Sequence, residues 1–311
     1  MRLDPQAQAI ADQLAALPRA DPTTLDVPSY RAALAAMAPP PAVAEPDVAR
    51  SDIVLPGPVA PLRARLYYPP AAEAGTLPLV AYFHGGGFVS CSLDTHDNIC
   101  ARLAARSGAL VASIDYRLAP EHRFPAACDD AVAAVQAVHG LAASFGADPA
   151  RIAVAGDSAG ATLATVAARL SAETGLKLVH QLLLYPATDS ACDTPSHHEH
   201  HDAPMLGSAL MAWFWRQYLA RPEDGLDPRA SPLRAASLAN LPPATVITAG
   251  FDPLRDEGEA YARALAAAGV PATLRRWPGQ FHGFASLLGA LDAADEALDF
   301  AAAQLRAAFA A

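Results

Sequence analysis

The stretch Arg151–Leu170 constrains this chain more than any other: R-I-A-V-A-G-D-S-A-G, then A-T-L-A-T-V-A-A-R-L. Ile152 to Ala155 is a short apolar run with two β-branched residues, the pattern of a strand buried on both faces. Ala161 to Leu170 is rich in Ala and Leu and free of Gly and Pro, which predicts a helix. Gly156-Asp157-Ser158-Ala159-Gly160 joins them and fits G-x-S-x-G. A strand running straight into a helix needs a tight turn with a strained apex, and flanking glycines let the two elements approach closely. A serine at that apex projects its hydroxyl off the sheet beside the N–H groups of the helix N-terminus. There it can act as an attacking oxygen with oxyanion donors nearby.

The surrounding sequence predicts the sheet this turn belongs to. Buried-strand patterns occur at Leu79–Phe83, Leu110–Ile114, Ile152–Ala155 and Leu178–Leu184, separated by helical stretches at about 97–106, 126–143 and 160–173. Strands at Thr245–Thr248 and Ala272–Arg276 follow, with helices at about 255–268 and 291–309. Such alternation specifies an α/β fold with a mostly parallel sheet flanked by helices. Ile53–Leu55 and Ala64–Tyr68, separated by Pro58 and Pro61, predict an antiparallel pair at the sheet edge.

Ahead of the sheet, residues 1–48 read as a helical arm. Helices are expected over 4–17, ended by Pro18, and over Ser29–Met37, followed by the break Pro39–Pro41. Residues 49–311 are expected to form the catalytic domain. A second irregular segment, about 187–225 within 186–240, holds a polar His-rich loop and an apolar patch, Ala209–Leu219. Ligand sites of parallel sheets lie at the carboxyl ends of the strands, so the arm and this insertion are expected to cap the site.

The bulk properties exclude several classes. The chain has 311 residues, 52% of them hydrophobic and 17% charged, enough for one large α/β domain with a sizeable core. A net charge of −10 argues against nucleic-acid partners and anionic membranes. No apolar run is long enough for a membrane span and no targeting pattern opens the chain, so a cytoplasmic protein is expected. Cys91, Cys100, Cys128 and Cys192 show no C-x-x-C pairing and read as idle thiols.

Ser158 requires a base, and ten histidines are available. His282, in Gly279-Gln-Phe-His-Gly-Phe284, follows the last strand and precedes the last helix, on the same side as Ser158. His139, His180 and His122 lie in a helix, a strand and a charged, Pro-rich stretch, and fit less well. A base that becomes imidazolium needs an anion to orient it. Asp252 and Asp256 both follow the Thr245–Thr248 strand, and spacing leaves both open, with Asp252 nearer the strand end. The order Ser158, Asp252, His282 is that of an α/β-hydrolase. His84-Gly85-Gly86-Gly87 follows the Leu79–Phe83 strand and offers N–H groups that, with Ala159, can converge on a developing oxyanion. His197-His-Glu-His-His201 suggests a metal, but a Pro-flanked irregular loop fixes no ligand geometry, and a solvated loop is expected instead.

Together, His84-Gly-Gly-Gly87, Asp115-Tyr-Arg-Leu-Ala-Pro-Glu-His122, Gly156-Asp-Ser-Ala-Gly160, Asp252-Pro-Leu-Arg-Asp-Glu-Gly258 and Phe281-His-Gly-Phe284 resemble the bacterial hormone-sensitive lipase family of esterases. The resemblance implies an α/β-hydrolase fold from about residue 50 onward. It also implies a serine carboxylesterase acting on short- to medium-chain acyl esters, with no cofactor and no metal. Its implied roles are Ser158 as nucleophile, His282 as base, Asp252 as orienting acid, and Gly85, Gly86 and Ala159 as oxyanion donors. His84, Gly87 and Asp157 are supporting motif residues. A small-molecule ester is the implied partner, and relatives of this kind often form homodimers through the sheet edge. The motifs alone do not separate esters from lactones, carbamates or amides. A non-catalytic receptor on the same fold is the rival of another class, which the presence of His282 disfavours. Ala161 and Thr162 stand where relatives usually carry Gly and Asn, and the segment around His197–Pro204 is unlike most members.

Overall fold

The computed structural model describes residues 2–17, 24–37, 45, 47–70 and 76–311. The expected breaks at Pro18 and Pro39–Pro41 lie outside the described residues. Eight strands form one sheet: β1 (Ala49–Leu55), β2 (Leu62–Tyr68), β3 (Leu77–Phe83), β4 (Leu110–Asp115), β5 (Ala147–Asp157), β6 (His180–Leu184), β7 (Ala244–Phe251) and β8 (Ala272–Phe281). Their spatial order is β1-β2-β4-β3-β5-β6-β7-β8. From β4 to β8 all neighbours are parallel, while β1 and β2 pair antiparallel and β2 runs antiparallel to β4. The expected edge pair is therefore present, with β2 joining it to the parallel sheet.

The central strands are apolar on both faces because helices cover both. Leu79, Ala81 and Phe83 of β3 face one core, and Val80 and Tyr82 face the other. The first core is closed by α4 (Ala126–Leu141), α5 (Ala159–Glu173) and α8 (Arg255–Ala267) through Val135, Leu163 and Leu265. The second is closed by α3 (Asp97–Ser107) and α9 (Asp292–Ala310) through Ile99, Leu103, Leu298 and Leu305. The N-terminal arm is α1 (Pro5–Ala15) and α2 (Val27–Met37). Between β6 and β7 lie a short α6 (Pro195–Glu199) and α7 (Ser208–Tyr218), the latter formed by the expected apolar patch.

One strand differs from its sequence pattern in a way that matters. The expected strand ends at Arg276, yet β8 continues through Pro278-Gly279 to Phe281. A register shift between Ala249 and Phe251 absorbs the proline, which has no N–H to donate to the ladder. There Gly250 approaches so closely that a Cβ on it would lie 2.1 Å from the Pro278 carbonyl oxygen. The result is that His282 sits directly on the end of a strand rather than in a free loop, and Asp252 sits directly on the end of the strand beside it.

Candidate active site

Ser158 lies between β5 and α5 with φ 51° and ψ −122°, a strained conformation for a residue with a side chain. The strain is enforced by close packing. A Cβ on Gly160 would lie 2.0 Å from the Phe83 carbonyl oxygen, and one on Gly156 would lie 2.4 Å from Gly160. With glycine at both positions the start of α5 is pressed against the ends of β3 and β5, and Ser158 N–H is held by the Leu184 carbonyl at 2.9 Å.

The structure brings Ser158, His282 and Asp252 together. The Asp252 carboxylate can only accept, so His282 Nδ1–H donates to its Oδ2 at 2.8 Å and Nε2 is left to accept from the Ser158 hydroxyl at 3.0 Å. Asp252 is fully buried, and its second oxygen accepts Leu254 N–H at 2.8 Å. The Tyr185 ring meets the imidazole edge-to-face at 4.8 Å between centroids. Asp256 is directed elsewhere: it accepts Ser196 N–H at 2.8 Å and Arg255 Nε at 2.8 Å. The choice that spacing left open goes to Asp252.

The glycine loop needs one correction. Gly85 N–H donates to Asp157 Oδ1 at 2.9 Å, so it is not available to an oxyanion. Among the described residues none accepts from the N–H groups of Gly86, Gly87 or Ala159. Gly86 and Gly87 have φ of 104° and 62°, and a Cβ on Gly87 would strike the Phe214 ring. Asp157 also accepts the Tyr82 hydroxyl at 2.7 Å and faces His96 Nε2 at 3.3 Å. Burial alone would raise the Asp157 carboxyl, but His96 and the Tyr82 hydroxyl outweigh it and hold it below the ordinary value. Asp157 thus anchors the loop as an ionised group. Burial, reinforced by His96, pushes the neighbouring His84 down to about 4.

A profile of the α/β-hydrolase fold family matches residues 80–286. The esterase LipI of Mycobacterium tuberculosis is 45% identical over 265 residues, covering 84% of this chain and 82% of that protein. An ethyl acetate hydrolase of Pseudomonas putida is 43% identical over 242 residues, 76% of each chain. The chain belongs to the hormone-sensitive-lipase-like family of α/β-hydrolases. Among solved structures, a hyperthermophilic esterase from the archaeon Pyrobaculum calidifontis superposes with a TM-score of 0.91 at 44% identity, covering 100% of both chains.

Above the triad of this α/β-hydrolase lies a cavity of about 250 Å³. Ile10 and Leu14 of α1 and Tyr30 and Leu34 of α2 line one side, and Met211, Phe214 and Trp215 of α7 another. The arm is tied to α7: Trp213 Nε1 donates to the Leu25 carbonyl at 3.1 Å, and Tyr30 packs edge-on against Trp213 and Phe214. The walls are mostly apolar, with Thr95, His96, Asp157 and Ser286 lining the cavity beside Ser158 and His282.

The His197–His201 stretch is not the solvated loop its composition suggested. Its first three residues complete α6, and His197 and His200 are buried. His197 Nε2 faces Glu257 at 3.4 Å, and Arg255 Nη1 lies 3.0 Å from His200 Nε2. Among the described residues no group of His, Cys, Asp and Glu is arranged to hold a metal ion, and no helix is long and apolar enough to cross a membrane. Sequence reasoning missed His96, Tyr185 and the binding of Gly85 to Asp157. Each depends on residues far apart in the chain, and only the position of Gly85 next to the strand end could have hinted at its role.

Proposed function

We propose that this chain is a serine carboxylesterase for short- to medium-chain acyl esters, working through an acyl-enzyme. Ser158 Oγ attacks the ester carbonyl while His282 Nε2 takes its proton, and Asp252 stabilises the imidazolium that forms. The carbonyl oxygen, now negative, is met by the N–H groups of Gly86, Gly87 and Ala159, with the N-terminus of α5 adding its dipole. His282 then protonates the departing alcohol, and water repeats the cycle on the acyl-enzyme. Carrying this proposal is the continuous hydrogen-bonded line from Asp252 through His282 to Ser158, opening into an apolar cavity.

The arm and the segment 187–225 act as the cap. A cavity of about 250 Å³ is below the ~300–1,000 Å³ typical of sites for drug-sized ligands, which favours small monomeric esters over long-chain fat. An acyl series of p-nitrophenyl esters from acetate to laurate should peak at short to medium chains. A fluorophosphonate probe should label Ser158. Failure to label, or equal rates on laurate, would overturn the proposal. We further propose a homodimer through the edge strand β8, where Leu274 is exposed; light scattering that finds only monomer would refute it.

A further inference from the structure

The segment that follows Thr194 takes no part in the steps above, yet α6 grips the turn that carries Asp252. Ser196 is fully buried. Its N–H donates to Asp256 Oδ2 at 2.8 Å, and its hydroxyl oxygen accepts Asp256 N–H at 3.1 Å. The hydroxyl has one proton, which it donates to the Pro253 carbonyl at 2.6 Å. That carbonyl shares a peptide unit with Leu254 N–H, the group that donates to Asp252 Oδ1. A peptide hydrogen-bonded at both ends is polarised by each bond in favour of the other.

One line of hydrogen bonds therefore runs from Ser196 through the Pro253–Leu254 peptide to Asp252, His282 and Ser158. Asp252 Oδ1 has no second donor among the described residues. If the peptide tilts, a fully buried carboxylate loses its only partner on that side and can turn away from His282. Arg255 holds the same turn from outside, reaching the Gly250 carbonyl at 3.1 Å and Glu199 on α6 at 2.8 Å.

We propose that Ser196 is a positioning residue for catalysis, fixing the Asp252 carboxylate through the Pro253–Leu254 peptide. This assignment rests on the triad proposed above. It also gives the unusual cap segment a second purpose, since α7 lines the cavity while α6 holds the turn that carries the acid.

The experiment compares Ser196→Ala, Ser196→Thr and Ser208→Ala in the full chain. Ser208 Oγ donates to the His197 carbonyl at 3.0 Å, so it tethers α6 without touching the 253–254 peptide. Ser196→Ala should lower kcat about 10- to 100-fold with KM within about twofold, the scale expected when a catalytic group is displaced by a remote change. The downfield proton resonance expected of His282 Nδ1–H in the parent protein should be lost or broadened. Ser196→Thr should restore both, and Ser208→Ala should leave both unchanged. Should Ser196→Ala not accumulate as folded protein, Ser196→Cys carries the same expectations at smaller amplitude. An intact resonance with unchanged kcat in the folded Ser196 variant refutes the proposal, as does an equal loss in Ser208→Ala. Absence of the resonance from the parent protein would instead count against the triad itself.

Discussion

Ser158 is held in an unfavourable backbone conformation by two glycines that let β3, β5 and α5 meet almost backbone to backbone. Replacing it by alanine should leave the fold intact and lower kcat by about 10⁵- to 10⁶-fold, because it removes the proposed nucleophile. Hydrolysis of p-nitrophenyl butyrate checks this, and wild-type rates in Ser158→Ala would remove Ser158 from the mechanism. A subtler expectation concerns Asp157, which borders the cavity but lies outside the hydrogen-bonded line of Asp252, His282 and Ser158. It binds Gly85 N–H and so sets where Gly86 and Gly87 point. Asp157→Asn keeps the shape but weakens that bond and the attraction to His96. It should lower kcat by about 10²-fold, the scale of losing one oxyanion donor, with KM little changed. A change confined to KM would mean that the loop does not depend on Asp157.

Among the elements, α2 and α7 meet over the cavity through Trp213 and Tyr30. Trp213→Phe keeps an aromatic ring but removes the donor to Leu25, so the arm loses one of its fixings. The optimum in an acyl-chain series should move toward longer chains and KM for short esters should rise several-fold, while kcat for acetate stays near its original value. An unchanged chain-length profile would show that the arm does not limit the cavity. The strands and helices around the site follow local pattern, and most positions agree with the expected ranges to within a few residues, although β5 begins at Ala147, well before the expected Ile152. The exceptions are instructive. β8 outruns its expected end at Arg276 because, after an irregularity at Pro278-Gly279, it pairs with β7 again at Phe251 and Phe281. The His-rich stretch forms α6 because Arg255, Asp256 and Glu257 at the start of α8 bind it.

At the scale of the whole molecule, buried histidines tie stability to pH. Burial pushes His180 down to about 4, and His84 likewise. A depressed pKa leaves stability intact above the ordinary imidazole value of about 6.5 and removes it as pH falls from there to about 4, because the unfolded chain takes up the proton first. His180 lies on β6, 2.9 Å from Thr245 Oγ1 and far from the chemistry. In His180→Gln the proton uptake on unfolding between pH 6.5 and 4 should fall by nearly one. Chemical denaturation across that range measures it, and an unaltered pH dependence would mean that His180 titrates normally in the folded protein.

The linear sequence by itself determined the alternation of strands and helices, the elbow at Ser158, the glycine triplet and the placement of His282 and Asp252 beyond strand ends. These are local properties: apolar periodicity, turn chemistry and the order of motifs along the chain. Spacing left Asp252 and Asp256 open and the motif resemblance favoured Asp252; the tertiary structure supplies the physical reason, since Asp252 turns inward to His282 while Asp256 binds Ser196 N–H. It also transferred Gly85 from the oxyanion site to Asp157, buried His197 and His200, and joined Ser196 to the acid. Each of those outcomes is a contact between residues tens of positions apart, and such pairings leave no trace in spacing because they exist only once the sheet and its cap have closed on one another.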